Sequence, residues 1–115
     1  MISIVLADDH PLTRAGLAAL INEEEGLNLL GEASDGKQAW EMIEKLRPDV
    51  ALLDIRMPEM DGITVARKVK DAKLPTKVIM LTAYNAQPYI VAALSAGARG
   101  FIVKTSAVME LTQAL

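Results

Sequence analysis

Five times along 115 residues an apolar, β-rich run gives way to an amphipathic segment of helix length, with no low-complexity stretch, internal repeat or linker between them. That rhythm belongs to a parallel sheet, because parallel neighbours need a crossover and a helix supplies it. The runs predict strands near 2–7, 28–33, 49–54, 77–82 and 100–104, the second being the least marked. Helices are expected near 12–24, 36–46, 62–72, 87–96 and from 107 onward. Pro11, Pro88 and Ser106 stand where helices begin, and Gly26, Pro48 and Gly97 stand where they stop. The fold class expected is α/β: a doubly wound, five-stranded parallel sheet of order 2-1-3-4-5 with five helices, in three α/β/α layers.

Composition narrows the function classes. Apolar residues make up 51% of the chain and aromatic residues 3%, which describes an aliphatic core and excludes a disordered chain. The length suits one domain, 1–115, with one core. There is no cysteine, so disulfide frameworks, thiolate metal sites and cysteine nucleophiles are ruled out, and a cytoplasmic location is expected. The first apolar run stops at Asp8, and no stretch approaches the roughly 20 apolar residues of a membrane span, so no membrane partner is expected. A net charge of −3 without a Lys/Arg stripe argues against direct nucleic-acid binding by this segment.

Two of the runs close on carboxylates. Ile4-Val5-Leu6-Ala7 ends at Asp8-Asp9, and Leu52-Leu53 ends at Asp54, followed at once by the loop residues Ile55-Arg56-Met57-Pro58. In a sheet of order 2-1-3-4-5 the crevice opens between the first and third strands, where Asp8, Asp9 and Asp54 would face one another. Like charges this close repel, and a desolvated unpaired charge is costly. A divalent cation resolves the conflict. A few hard oxygen ligands completed by water suit Mg2+ or Mn2+ better than zinc, for which histidine or cysteine is expected. The single histidine, His10, adds little to this donor set. An ion held through few carboxylates keeps room for a phosphate, so the chemistry indicated is phosphoryl transfer. Thr82 closes Lys77-Val78-Ile79-Met80-Leu81 and offers a hydroxyl; Lys104 closes Phe101-Ile102-Val103 and offers a positive charge. A phosphoryl group on Asp54 would be held by the ion on one side and by Lys104 and Thr82 on the other, with the small Ala83 leaving it accessible.

Taken singly, each residue has a plainer reading. Asp9, before His10-Pro11, serves as well for an N-cap, Thr82 for a strand end and Lys104 for a solvated lysine. Asp61-Gly62 reads as a cap and tight turn, Phe101 as core, and Met57 and Met60 as loop packing. The functional case rests on the set, in which four of five strands end in residues suited to one reaction.

That set resembles a response-regulator receiver domain of bacterial two-component signalling. The likeness spans the whole chain and is carried by Asp8-Asp9, by Asp54 in Leu52-Leu53-Asp54-Ile55-Arg56-Met57-Pro58, by Met60-Asp61-Gly62, by Thr82-Ala83, and by Gly97-Ala98-Arg99-Gly100-Phe101 leading to Lys104. It implies a flavodoxin-like fold with Asp54 as phosphoacceptor, attacking phosphohistidine on a sensor histidine kinase or a small donor such as acetyl phosphate. It further implies Mg2+ held by Asp9, Asp54 and the backbone carbonyl of Arg56, with Asp8 acting through water. Lys104 would pair with the phosphoryl group, Thr82 would move toward it, and Phe101 stands at the family's aromatic switch position. Such a domain catalyses only its own phosphorylation and dephosphorylation.

The opening Leu6-Ala7-Asp8-Asp9-His10-Pro11-Leu12-Thr13-Arg14-Ala15-Gly16-Leu17, with Gly31-Glu32-Ala33-Ser34-Asp35-Gly36, is similar to the subclass with a LuxR-type helix-turn-helix output domain. The resemblance implies a C-terminal DNA-binding domain beyond Leu115, the sole route to DNA. One departure is Thr105, where many receivers have proline after the lysine and a cis bond. The apolar Ile90-Val91-Ala92-Ala93-Leu94 reads as a deeply packed helix or as a patch for a homodimer favoured by phosphorylation. Alternatives of other classes are an aspartyl-phosphate hydrolase, which generally places a second Asp where this chain has Arg56, and a pseudo-receiver that binds partners without being phosphorylated. A stand-alone phosphorelay receiver is a further alternative within the family.

Overall fold

Strands β1 (Ile2–Ala7) and β3 (Val50–Asp54) each carry an uninterrupted aliphatic run, and in the computed structural model they lie side by side inside the sheet. β3 is buried at every residue, as a central strand covered on both faces must be. β2 (Leu27–Ala33), β4 (Lys77–Thr82) and β5 (Gly100–Val103) complete a sheet of order β2-β1-β3-β4-β5 in which every neighbouring pair is parallel. The structure describes residues 1–82 and 92–103, without the side chains of Thr82 and of residues 101–103. Ala83, Tyr84, Pro88, Ile90, Val91, Lys104, Thr105 and Ser106, the start of the fourth expected helix and the helix expected from 107 lie outside the described residues.

Side-chain alternation divides the core in two. Val5, Ala7, Ala51, Leu53, Val78 and Met80 enter one layer, closed by α2 (Gly36–Leu46) and α3 (Gly62–Asp71) through Ala39, Ile43, Val65, Ala66 and Val69. Ala93, from the helical residues 92–95, joins this layer. Ile4, Leu6, Val50, Leu52, Ile79 and Leu81 enter the other, where α1 (Pro11–Glu23) covers them with Leu17, Ala18 and Ile21. Each buried aliphatic side chain contributes about 1.5–3 kcal/mol of transfer free energy, so the two layers carry most of the favourable side of folding.

Boundaries fall within a residue of expectation for the first three helices and first four strands. Pro11 opens α1 at its first turn. That helix ends at Glu23 with the extended Glu24 as its cap, and Gly26, at φ 90°, makes the turn into β2 instead of stopping the helix directly. α2 ends one residue before Arg47, which takes the left-handed conformation ahead of Pro48. Gly97, at φ 102°, closes the helical residues before it: its N–H donates to Leu94 O and that of Ala98 to Ala93 O, both at 3.0 Å. The faint signal of β2 also has a cause. It is an edge strand with alternating exposure, and its register slips so that Ile4 faces Leu29 while Val5 faces Gly31, leaving Leu30 as the extra, exposed residue of a bulge.

Candidate functional site

Register brings the carboxylates together. Ala7 pairs with Leu53 across β1 and β3, so the next residues, Asp8 and Asp54, emerge beside each other at the C-terminal edge. Both continue the phase of Leu6 and Leu52, which places them on the α1 side of the sheet. The Asp8 side chain is wholly buried (0% exposed) and that of Asp54 nearly so (7%), whereas Asp9 (31%) and His10 (62%) open toward solvent. The backbone is fastened here as well. Arg14 Nη1 donates to the Asp8 carbonyl at 2.7 Å, the Asp8 N–H donates to Ala33 O at 3.0 Å, and the Arg56 N–H approaches Asp54 Oδ1 at 3.4 Å.

The loop after Asp54 is held by two glycines whose lack of a side chain is essential. A Cβ at Gly62 would overlap the Asp54 carbonyl oxygen, and one at Gly36 would overlap the Met60 carbonyl oxygen. The Gly62 N–H donates to Ile55 O at 2.8 Å and the Gly36 N–H to Pro58 O at 3.2 Å, so α2 and α3 both grip the segment that follows the phosphoacceptor candidate. Asp61 caps α3 by accepting from the Thr64 N–H at 2.7 Å, and Glu59 holds a left-handed φ of 68° between them.

One oxygen each of Asp8, Asp9 and Asp54 and a ring nitrogen of His10 lie within 4.8 Å of one another. His10 Nδ1 stands 3.1 Å from Asp8 Oδ1, 3.2 Å from Asp9 Oδ1 and 3.6 Å from Asp54 Oδ2. Asp9 Oδ1 is sealed from solvent and accepts no hydrogen bond. A buried carboxylate oxygen in that condition, within a group of hard oxygen donors, fits a divalent cation of the Mg2+ kind. His10, which the sequence reading set aside as a donor, stands among these carboxylates. Its place next to an acidic pair at a strand end was the available signal.

Of the remaining expected site residues, Arg56 is exposed in the loop after β3. Thr82 ends β4 opposite Val103, and Phe101 pairs with Met80 through the backbone; the side chains of Thr82 and Phe101, and all of Lys104, lie outside the described residues.

The sequence profile of the response regulator receiver domain matches residues 4–115. The chain belongs to that family. This receiver is 36% identical over 113 residues, 98% of its length, to the nitrate/nitrite response regulator protein NarL of Escherichia coli K12, of which the match covers 52%. It superposes on the signal receiver domain of NarL from Mycobacterium tuberculosis with a TM-score of 0.94 at 42% identity, covering 98% of this chain and 91% of that one. A LuxR-family DNA-binding response regulator from Staphylococcus aureus gives 0.92 at 27% identity, with 98% and 94% covered. The receiver is thus a signalling module of the NarL/LuxR kind, with the flavodoxin-like fold of its neighbours. It spans about half the length of the curated relatives it matches. Among the described residues no helix is long and apolar enough to cross a membrane.

Proposed function

We propose that this receiver accepts a phosphoryl group on Asp54 from the phosphohistidine of a sensor kinase, or from acetyl phosphate, in a Mg2+-dependent reaction. The observation that carries this reading is the meeting of a nearly buried Asp54 carboxylate with Asp8 and Asp9 within ion-binding distance at the sheet's C-terminal edge. An Asp54 carboxylate oxygen forms the new O–P bond while the P–N bond of phosphohistidine, or the P–O bond of acetyl phosphate, breaks. The electron pair leaves with the imidazole or the acetate. Asp9, Asp54 and the Arg56 carbonyl would hold the Mg2+, with Asp8 acting through water; when bound, the ion neutralises charge on the phosphoryl oxygens. Lys104 and Thr82 would bind the phosphoryl oxygens.

The new charge, about −1.5 to −2, would bias the segment after β4 and be read by a C-terminal DNA-binding domain in the cytoplasm, with the phosphorylated form favouring a homodimer. The receiver's catalysis extends only to its own phosphorylation and dephosphorylation. The test is intact mass after incubation with acetyl phosphate and Mg2+, beside an EDTA control and Asp54→Asn. One phosphoryl addition that needs Mg2+ and is lost in the variant is expected; acid-labile addition that persists in Asp54→Asn overturns the assignment.

A further inference from the structure

We infer that Arg14 is a positioning residue for the ion site: it binds neither the ion nor the phosphoryl group, and it sets the affinity for Mg2+ by fixing the peptide from which Asp9 projects. The inference rests on the Mg2+ reading of the Asp8, Asp9 and Asp54 site and adds to it a residue outside the donor set.

The three carboxylates are not held alike. Asp54 ends β3, and Asp8 follows β1 with its amide donating to Ala33 O at 3.0 Å; both side chains are buried, so sheet and packing fix them. Asp9 has left the sheet and opens toward solvent. Its carboxylate is aimed by the backbone on either side of it. Arg14 grips that backbone twice. Its Nη1 donates to the Asp8 carbonyl at 2.7 Å, and its own N–H donates to the His10 carbonyl at 2.9 Å. Asp9 lies between the two residues so anchored. The second bond is the ordinary opening of a helix, which almost any residue can make. The first needs a donor at the end of a long side chain.

That first bond is of the strong kind. The guanidinium carries a full charge, the distance is short, and the Arg14 side chain is little exposed, so water competes poorly for the carbonyl. Arg14 Nε also stands 3.6 Å from Glu32 Oε1 on β2, but Glu32 is exposed and a pair of that length holds weakly. Position along the helix agrees. Arg14 is the fourth residue of α1, near the end where the helix dipole favours acidic side chains and disfavours a cation, and the first turn holds no acidic residue. A cation there works against the helix and for the carbonyl that it binds.

Mg2+ makes the grip consequential. It demands near-ideal octahedral geometry with ligands at about 2.1 Å. A rotation of the peptide joining Asp8 to Asp9 that an ordinary turn would tolerate carries the Asp9 carboxylate away from its place in that shell. Groups that orient a ligand without touching the metal change affinity by roughly 10- to 100-fold when removed.

The experiment is calorimetric titration of the chain with Mg2+ for wild type, Arg14→Gln, Arg14→Lys and Glu32→Gln, with urea unfolding of each in the absence of Mg2+. Arg14→Gln is expected to weaken Mg2+ roughly 10-fold. Arg14→Lys keeps a charged donor on a long stem, and one donor is all the carbonyl takes, so it is expected to recover most of the loss. Glu32→Gln is expected to bind as wild type does. An Arg14→Gln chain that unfolds at lower urea yet binds Mg2+ as wild type does makes Arg14 an anchor of α1 alone and overturns the inference. So does an Arg14→Lys chain no better than Arg14→Gln, or a loss in Glu32→Gln equal to that in Arg14→Gln. Wild type that binds no Mg2+ overturns the Mg2+ reading as well. A second measurement needs no variant and stands even if Arg14→Gln fails to fold. Coupling is reciprocal, so if the Arg14 bond favours Mg2+, Mg2+ must favour the bond. Rotation about the Arg14 Cζ–Nη1 bond, followed by nitrogen NMR in wild type, is expected to slow several-fold when the ion is added. Rotation that does not respond to saturating Mg2+ overturns the inference.

Discussion

At the scale of single residues, the position of Asp54 depends on what Gly62 lacks. Because a Cβ there would meet the Asp54 carbonyl, Gly62→Ala is expected to cost about 1–3 kcal/mol in urea unfolding and to slow phosphorylation of the folded fraction. The sequence showed Asp61-Gly62 as a cap and a turn, and the cap is present. The turn's closeness to Asp54 was not legible, since a local motif does not say which strand end it abuts. Asp8 and Asp54 were legible for the opposite reason: in a parallel sheet of this order, adjacent strand ends follow from topology. At the other end of the sheet, Ser3 donates to Asp49 Oδ2 through its amide at 2.9 Å and its hydroxyl at 3.1 Å, which holds the Asp49 carboxyl below its ordinary value of 3.8. The unfolded chain takes up that proton at higher pH than the folded one. The stability from this contact is therefore present above about pH 4 and lost as pH falls through and below the ordinary range. Urea melts at pH 3 and pH 5 should show a smaller difference for Asp49→Asn than for wild type.

At the scale of elements, the helix ends carry measurable weight. Asp35 caps α2 by accepting from the Gln38 N–H at 2.8 Å, so Asp35→Ala is expected to lower stability by about 1 kcal/mol. α3 ends differently. Lys73 takes a left-handed φ of 57°, its N–H donating to Lys70 O at 3.0 Å and that of Leu74 to Val69 O at 3.2 Å, a closure that usually employs glycine. Lys73→Gly should raise stability by about 1 kcal/mol in the same assay, because the side chain no longer opposes that conformation. The expected range of 62–72 met this end to within a residue, but the left-handed conformation at Lys73 had no sign in the sequence, since lysine does not favour it. Pro11, Gly97 and the Asp61 cap were readable because proline, glycine and short acidic side chains act through the backbone. The bulge at Leu30 was not, as a run of apolar residues at a sheet edge does not reveal where its register slips.

At the scale of the molecule, alternation of strand and helix patterns carried the topology. Cross-element geometry, which sets the distance from His10 to Asp54, had no equivalent signature. Ala93 is buried while Leu94 is 51% exposed, so the described part of the apolar 90–94 stretch turns one face inward and one outward. Sedimentation of the phosphorylated chain is expected to show a larger dimer fraction than the unmodified chain; equal fractions would remove that stretch as a dimer surface. The chain has one tryptophan. Trp40, on α2, packs against the layer beneath α2 and α3, and Lys68 Nζ of α3 stands 5.9 Å from its ring centroid. A lone indole with a charge from the neighbouring helix above it is an optical gauge built into the protein. Its unlabelled emission reports the spacing of the two helices that grip the loop after Asp54.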